Sequence, residues 1–107
     1  MERHGQVIEV KPGCLEEYRR LHAAVWPEVL AILSAHHIRN YSIYYKDGFL
    51  FTYYEYDGTD YAADMAAVAA EPVTQEWWKV CKPCHTPLAT RAEGEWWAEM
   101  EEVFHLE

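Results

Sequence analysis

Tyr18, His22 and Trp26 recur at intervals of four, the spacing that sets side chains one above another on a helix face. Histidine is the side chain whose ordinary pKa, about 6.5, suits proton transfer near neutrality. A general acid or base works best with a pKa near the working pH. A tyrosine one turn away can hold a substrate hydroxyl or shuttle its proton. All three residues lie on or beside an apolar stripe, so a satisfied core histidine is the competing reading, and spacing alone leaves the two level. Trp77 and Trp78 are adjacent, and consecutive helical residues point about 100° apart. One can therefore pack while the other faces a cleft. Flat indole faces suit the apolar C–H faces of sugars; core and subunit packing is the other reading. Trp96 and Trp97 form a second pair, which reads as core or interface.

Cys81-Lys82-Pro83-Cys84-His85 matches the C-x-x-C-H haem-attachment pattern. Covalent haem attachment occurs outside the cytoplasm, and Met1 to Val10 carries no apolar export segment. Zinc needs four ligands, so Cys81, Cys84 and His85 would require Cys14 beside them. A thioredoxin-like pair belongs at the start of a helix after a strand, whereas the segment before Cys81 reads as helical. The cysteines therefore read as incidental to a loop, with no metal and no cofactor expected. Glu93, Glu95, Glu99, Glu101 and Glu102 read as a solvated face. There is no glycine-rich phosphate loop and no serine-nucleophile motif.

The elements that must position these groups belong to a chain of 107 residues with a net charge of −9. That length fits one domain, residues 1–107, with a thin core that a second copy would thicken. The acidic balance argues against nucleic acid, whose phosphates call for Lys and Arg, and against an anionic membrane surface. No apolar stretch nears the ~20 residues of a membrane span. Three cysteines make no disulfide framework, and a cytoplasmic location is expected. With 5 Trp and 8 Tyr, the aromatic content exceeds what a small core needs and points to a ligand surface or an interface.

Gln6 to Val10 reads as a first strand, ended by Lys11-Pro12-Gly13. Cys14 to His36 shows helical periodicity through Leu15, Tyr18, His22, Val25 and Val29. Pro27 conflicts with one continuous helix, which must kink or restart there. Ile38 to Tyr45 and Phe49 to Tyr56 alternate as strands around Lys46-Asp47-Gly48, an Asp-Gly hairpin signal. Thr59 is placed to cap a helix over Asp60 to Ala70, and Pro72 to open another through Val80. Cys81 to Arg91 reads as a loop and Glu101 to Leu106 as a last strand. The order β-α-β-β-α-β is that of an α+β, ferredoxin-like plait: a four-stranded antiparallel sheet with helices on one face. The other face, rich in aromatics, needs a partner or a ligand.

Glu17-Tyr18-Arg19-Arg20-Leu21-His22 and Trp26-Pro27-Glu28 resemble the first helix of the L-rhamnose mutarotases. Asn40-Tyr41-Ser42-Ile43-Tyr44, Trp77-Trp78-Lys79 and Glu101-Glu102-Val103-Phe104-His105-Leu106 resemble further blocks of that family, spread over nearly the whole chain. The resemblance implies a ferredoxin-like plait paired sheet to sheet as a dimeric α/β barrel, a homodimer. It implies interconversion of the α and β anomers of L-rhamnose, without cofactor or metal. By position, His22 matches the family's proton donor, and Tyr18, Tyr41, Trp77 and Trp78 match its sugar-binding residues. The chain departs from the family pattern in the loop Cys81 to Pro87 and in the alanine-rich Ala62 to Ala70. Two other functions fit the architecture: a small dimeric α/β-barrel monooxygenase acting on a quinol or haem, and a sugar-binding dimer without turnover.

Overall fold

The computed structural model describes all 107 residues. The elements run β1 (Glu2–Val10), α1 (Leu15–His22), α2 (Pro27–Ala35), β2 (Ile38–Lys46), β3 (Phe49–Tyr56), α3 (Tyr61–Ala70), α4 (Pro72–Cys81), β4 (His85–Thr86) and β5 (Ala98–Met100). A 3₁₀ turn over Lys82–Cys84 joins α4 to β4. The sheet is antiparallel, ordered β2-β3-β1-β4, with β5 also on β1. The β-α-β-β-α-β order holds. Each helical crossover is a pair of helices, and two short pieces share the fourth strand position.

The helical stretch is broken rather than kinked. Trp26 takes an extended conformation (φ −57°, ψ 130°) and Pro27 stands at the start of α2. The proline ring disfavours a helical conformation at the residue before it while fitting the first turn of the next helix. The hairpin is as the sequence implies: Asp47 and Gly48 have φ of 51° and 88°, the left-handed pair of a type I′ turn.

Three boundaries differ from the sequence reading. β1 begins at Glu2 rather than Gln6, because its polar N-terminal half pairs with the aromatic half of β3, Tyr56 to Thr52. Asp60, not Thr59, caps α3, its side chain accepting from the Ala63 N–H at 3.1 Å. The last strand is Ala98–Met100, opposite Val7 to Gly5, and not Glu101 to Leu106. Beyond Met100, β1 has little edge left to offer. Glu102 is held instead by a side-chain ion pair to Arg3 at 2.8 Å, and Val103, Phe104 and Leu106 are exposed.

Alternation along β3 sorts the two sheet faces. Leu50, Thr52, Tyr54 and Tyr56 are buried toward the helices, while Phe49, Phe51 and Tyr53 are only half-buried on the other face. Only 16 residues are buried, and eleven of them form three separate hydrophobic clusters. One joins Ile8, Val10, Leu50, Tyr18 and Cys84; one joins Val29, Trp77 and Cys81; one joins Ile38, Tyr54 and Tyr56. Tyr56 is covered so closely that a Cβ on Gly58 would overlap its phenol, which reserves that position for glycine.

Candidate active site

Val29, Trp77 and Cys81 of the second cluster and Ile38 and Tyr54 of the third line a cavity of about 700 Å³ between the sheet and the helices, closed by Ile43, Trp96 and Trp97 at the edge of the first. Its wall is largely apolar, and it takes His22, Tyr41, Trp77 and Trp78 from the residues singled out in the sequence. A second hollow of about 620 Å³ lies among Lys82, Arg91, Glu93 and Glu95. It is polar and contains no histidine, so the first cavity is the one with the means for proton chemistry.

α1 delivers Tyr18 and His22 one turn apart, their rings stacked with centroids 4.1 Å apart. Nδ1 of His22 lies 2.9 Å from the Tyr18 carbonyl oxygen. A carbonyl only accepts, so Nδ1 carries the hydrogen and donates. Nε2 has no partner in the protein and is the nitrogen left to a ligand. Burial lowers the His22 pKa, an effect opposed in part by the bond to the Tyr18 carbonyl. The imidazolium is thus a minor, more acidic form at neutral pH. Tyr18 is not on the cavity wall. It is 4 % exposed and lies behind His22 and His85, which are. Burial raises its pKa far above the ordinary tyrosine value and keeps the phenol protonated.

Tyr41 reaches the cavity through an irregularity. The pairing of β2 with β3 shifts register between Arg39 and Ser42, and Asn40 inside that bulge has φ 50°. A bulge re-aims the side chains beside it. Tyr41 is 43 % exposed as a residue, yet its phenol oxygen is poorly solvated, and that burial raises its pKa.

The tryptophans of α4 divide as adjacent helical residues should. Trp77 is 7 % exposed, edge-on to His22 at 5.3 Å and to Trp26 at 5.1 Å. Trp78 is less buried, and the Lys82 ammonium lies 4.8 Å from its ring centre and 4.9 Å from that of Trp96. One cation thereby ties α4 to the loop before β5 through two cation–π contacts.

Sequence reasoning missed His85, Trp96 and Trp97 as wall residues, although all three line the cavity. The C-x-x-C-H pattern drew attention to His85 for a metal, but no group of three or more His, Cys, Asp or Glu side chains is arranged to hold one. Cys81 and Cys84 are buried, and burial pushes the Cys81 thiol up to about 12, the opposite of a reactive thiolate. Met65 and Val68 of the alanine-rich helix also line the cavity, as do Cys81 and Lys82. Both segments that depart from the family pattern therefore reach the site.

The fold and site define a small antiparallel α+β half-barrel with histidines, tyrosines and tryptophans around a largely apolar cavity. The family model described as L-rhamnose mutarotase matches residues 3–106. An L-rhamnose mutarotase of Opitutus terrae is 35 % identical over 115 residues, covering 100 % of both chains. One of Klebsiella pneumoniae is 36 % identical, covering 99 % of each. The chain belongs to the L-rhamnose mutarotase family. Among solved structures, an L-rhamnose mutarotase of Formosa agariphila shares the fold with a TM-score of 0.79 at 21 % identity, covering 100 % of both chains. A tetracenomycin F2 cyclase of Streptomyces glaucescens shares it with a TM-score of 0.76 at 16 % identity, covering 100 % of this chain and 98 % of that one. One fold thus carries unrelated chemistries.

Proposed function

We propose that this protein interconverts the α and β pyranose anomers of L-rhamnose, as a carbohydrate isomerase, with His22 as the proton donor. The observation that carries the reading is His22 itself: on the cavity wall, with Nδ1 tied to the Tyr18 carbonyl at 2.9 Å and Nε2 unpartnered. A ring oriented through one nitrogen can exchange a proton at the other. In ring opening the C1–O5 bond breaks, His22 protonates the ring oxygen, and the O1 proton leaves to solvent as C1 becomes an aldehyde. The C1–C2 bond then rotates. The O5 hydroxyl attacks the other face of C1, returns its proton to His22, and O1 is reprotonated. General acid–base help of this kind is commonly worth ~10²–10⁴-fold.

Tyr18 and Tyr41 are proposed to hold O1 or a neighbouring hydroxyl. Trp77 and Trp78 stack on the sugar, and apolar walls suit the C6 methyl of a 6-deoxy hexose. Saturation-transfer NMR between the anomeric proton signals of L-rhamnose tests the activity. Protein-dependent exchange supports it; none at micromolar protein refutes it.

We further propose a homodimer, paired through the outer sheet face and the C-terminal tail. Tyr44 is 65 % exposed on β2, and Val103 and Phe104 are 88 % and 79 % exposed in the tail, apolar area that monomers seldom leave uncovered. Sedimentation showing a monomer at micromolar concentration refutes the dimer. No helix is long and apolar enough to cross a membrane, and three free thiols suit the reducing cytoplasm proposed as its location.

A further inference from the structure

His85 is a buried polar group that the mechanism above does not use. Its ring lies on the cavity wall beside His22, it is 4 % exposed, and both of its nitrogens are occupied. The Trp96 indole Nε1 is 3.0 Å from Nδ1, and the Tyr18 phenol oxygen is 3.1 Å from Nε2. An indole N–H can only donate. Nδ1 of His85 must therefore accept and carries no hydrogen. The neutral ring then has its hydrogen on Nε2, which donates to the Tyr18 oxygen. The reverse arrangement, with Tyr18 donating to Nε2, would leave both nitrogens without hydrogen and require an imidazolate.

The consequence falls on Tyr18. Its oxygen accepts from His85, so its own O–H is not spent there, and it donates to no other group of the protein. A buried donor with no partner is costly; Tyr18 lies behind the wall, but His22 and His85, which it touches, line the cavity, so a ligand reaching between them is the partner left to it. Burial keeps the Tyr18 phenol protonated and holds His85 neutral down to about pH 4, helped by the nearby His22, Lys82 and Lys11. The backbone of His85 is fixed as well: Lys11 Nζ donates to its carbonyl at 3.0 Å, and β4 pairs His85 with Val10.

We propose that His85 is a positioning residue, which, in the tautomer set by Trp96, makes Tyr18 an obligate hydrogen-bond donor toward the sugar. It also follows that the two cavity histidines have different duties. His22 has a free nitrogen and exchanges protons; His85 has none and cannot substitute for it. This assignment rests on the mutarotase reading for its effect on rate, but the hydrogen-bond order on which it stands is independent of activity.

Two measurements test it. Long-range ¹H–¹⁵N correlation on the wild-type protein at neutral pH reads the tautomer directly. The expected result is a pyridine-type Nδ1 and a pyrrole-type Nε2 for His85; the opposite pattern, or a charged ring, overturns the proposal whether or not the protein acts on rhamnose. Anomer-exchange kinetics then follow His85→Leu, His85→Gln and Tyr18→Phe. Leucine removes the donor, and kcat/KM is expected to fall about tenfold, the effect of one lost hydrogen bond. Glutamine keeps one donor and one acceptor and is expected to restore most of that loss. In the Tyr18→Phe background His85→Leu is expected to cost nothing further, since it acts through that hydroxyl. Losses that multiply, or a His85→Leu variant with undiminished exchange, overturn the proposal. Exchange absent from the wild type would refute the mutarotase reading and the proposed effect on rate, while the tautomer measurement would still decide the hydrogen-bond order.

Discussion

Replacing His85 should alter the way stability depends on pH, by an amount that follows from its surroundings. In the fold, His85 accepts from Trp96 and donates to Tyr18, and burial lowers its pKa from 6.5 to about 4. A proton on Nδ1 would meet the Trp96 N–H head-on. The unfolded chain offers no such resistance and binds that proton below pH 6.5. Because the folded pKa is the lower one, His85 takes stability away as the pH falls from 6.5 toward 4, and has no effect above about 7. Each pKa unit is worth about 1.4 kcal/mol, so the loss reaches about 3 kcal/mol at pH 4. Carboxylates also weaken the fold in that range, so the quantity to follow is the difference between wild type and His85→Gln, which does not titrate. Urea unfolding at fixed protein concentration, read by tryptophan fluorescence at pH 7.5, 6, 5 and 4, gives that difference. The wild type should lose about 3 kcal/mol relative to the variant across the series. A gap that is constant with pH would mean that His85 is not held neutral, and would refute the hydrogen-bond order inferred for it.

Other outcomes follow from the same geometry. Trp77→Ala should cost about 3–5 kcal/mol of stability, as truncation of a buried tryptophan does, whereas Trp78→Ala should cost less and chiefly raise KM; equal stability losses would contradict their different burial. If His22 acts as the donor, only its imidazolium form is active. The catalysed exchange rate, corrected for the uncatalysed reaction, should then climb as the pH falls from 8 to 6, by up to about tenfold per unit. A rate that falls over that interval would make His22 a base instead.

The hairpin and the repeating faces of helix and strand were legible because they rest on local chemistry: Asp47-Gly48 admits few turns, and Pro27 fits a helix start but not its middle. His22, Tyr41 and the Trp77-Trp78 pair were legible as site candidates because their types and family pattern converge, and they do share one cavity. Tyr18 was legible as a neighbour of His22, but not its place behind the wall. His85 was the hardest. Its partners are Tyr18, 67 positions away, and Trp96, 11 positions away, and no local pattern announces a hydrogen bond across the fold. The motif around it matches a haem-attachment pattern, and once haem and zinc are set aside it reads only as an incidental loop. The last strand was misplaced because alternation in Glu101 to Leu106 mimics a strand, while the edge of β1 available to it ends sooner.

The most direct measurement compares wild type with His22→Ala by saturation transfer between the anomeric protons of L-rhamnose, with circular dichroism to establish that the variant is folded. The expected result is strong exchange with the wild type and a loss of ~10²-fold or more in the folded variant. A folded His22→Ala protein that exchanges the anomers as fast as the wild type would contradict the assignment of His22 as the proton donor.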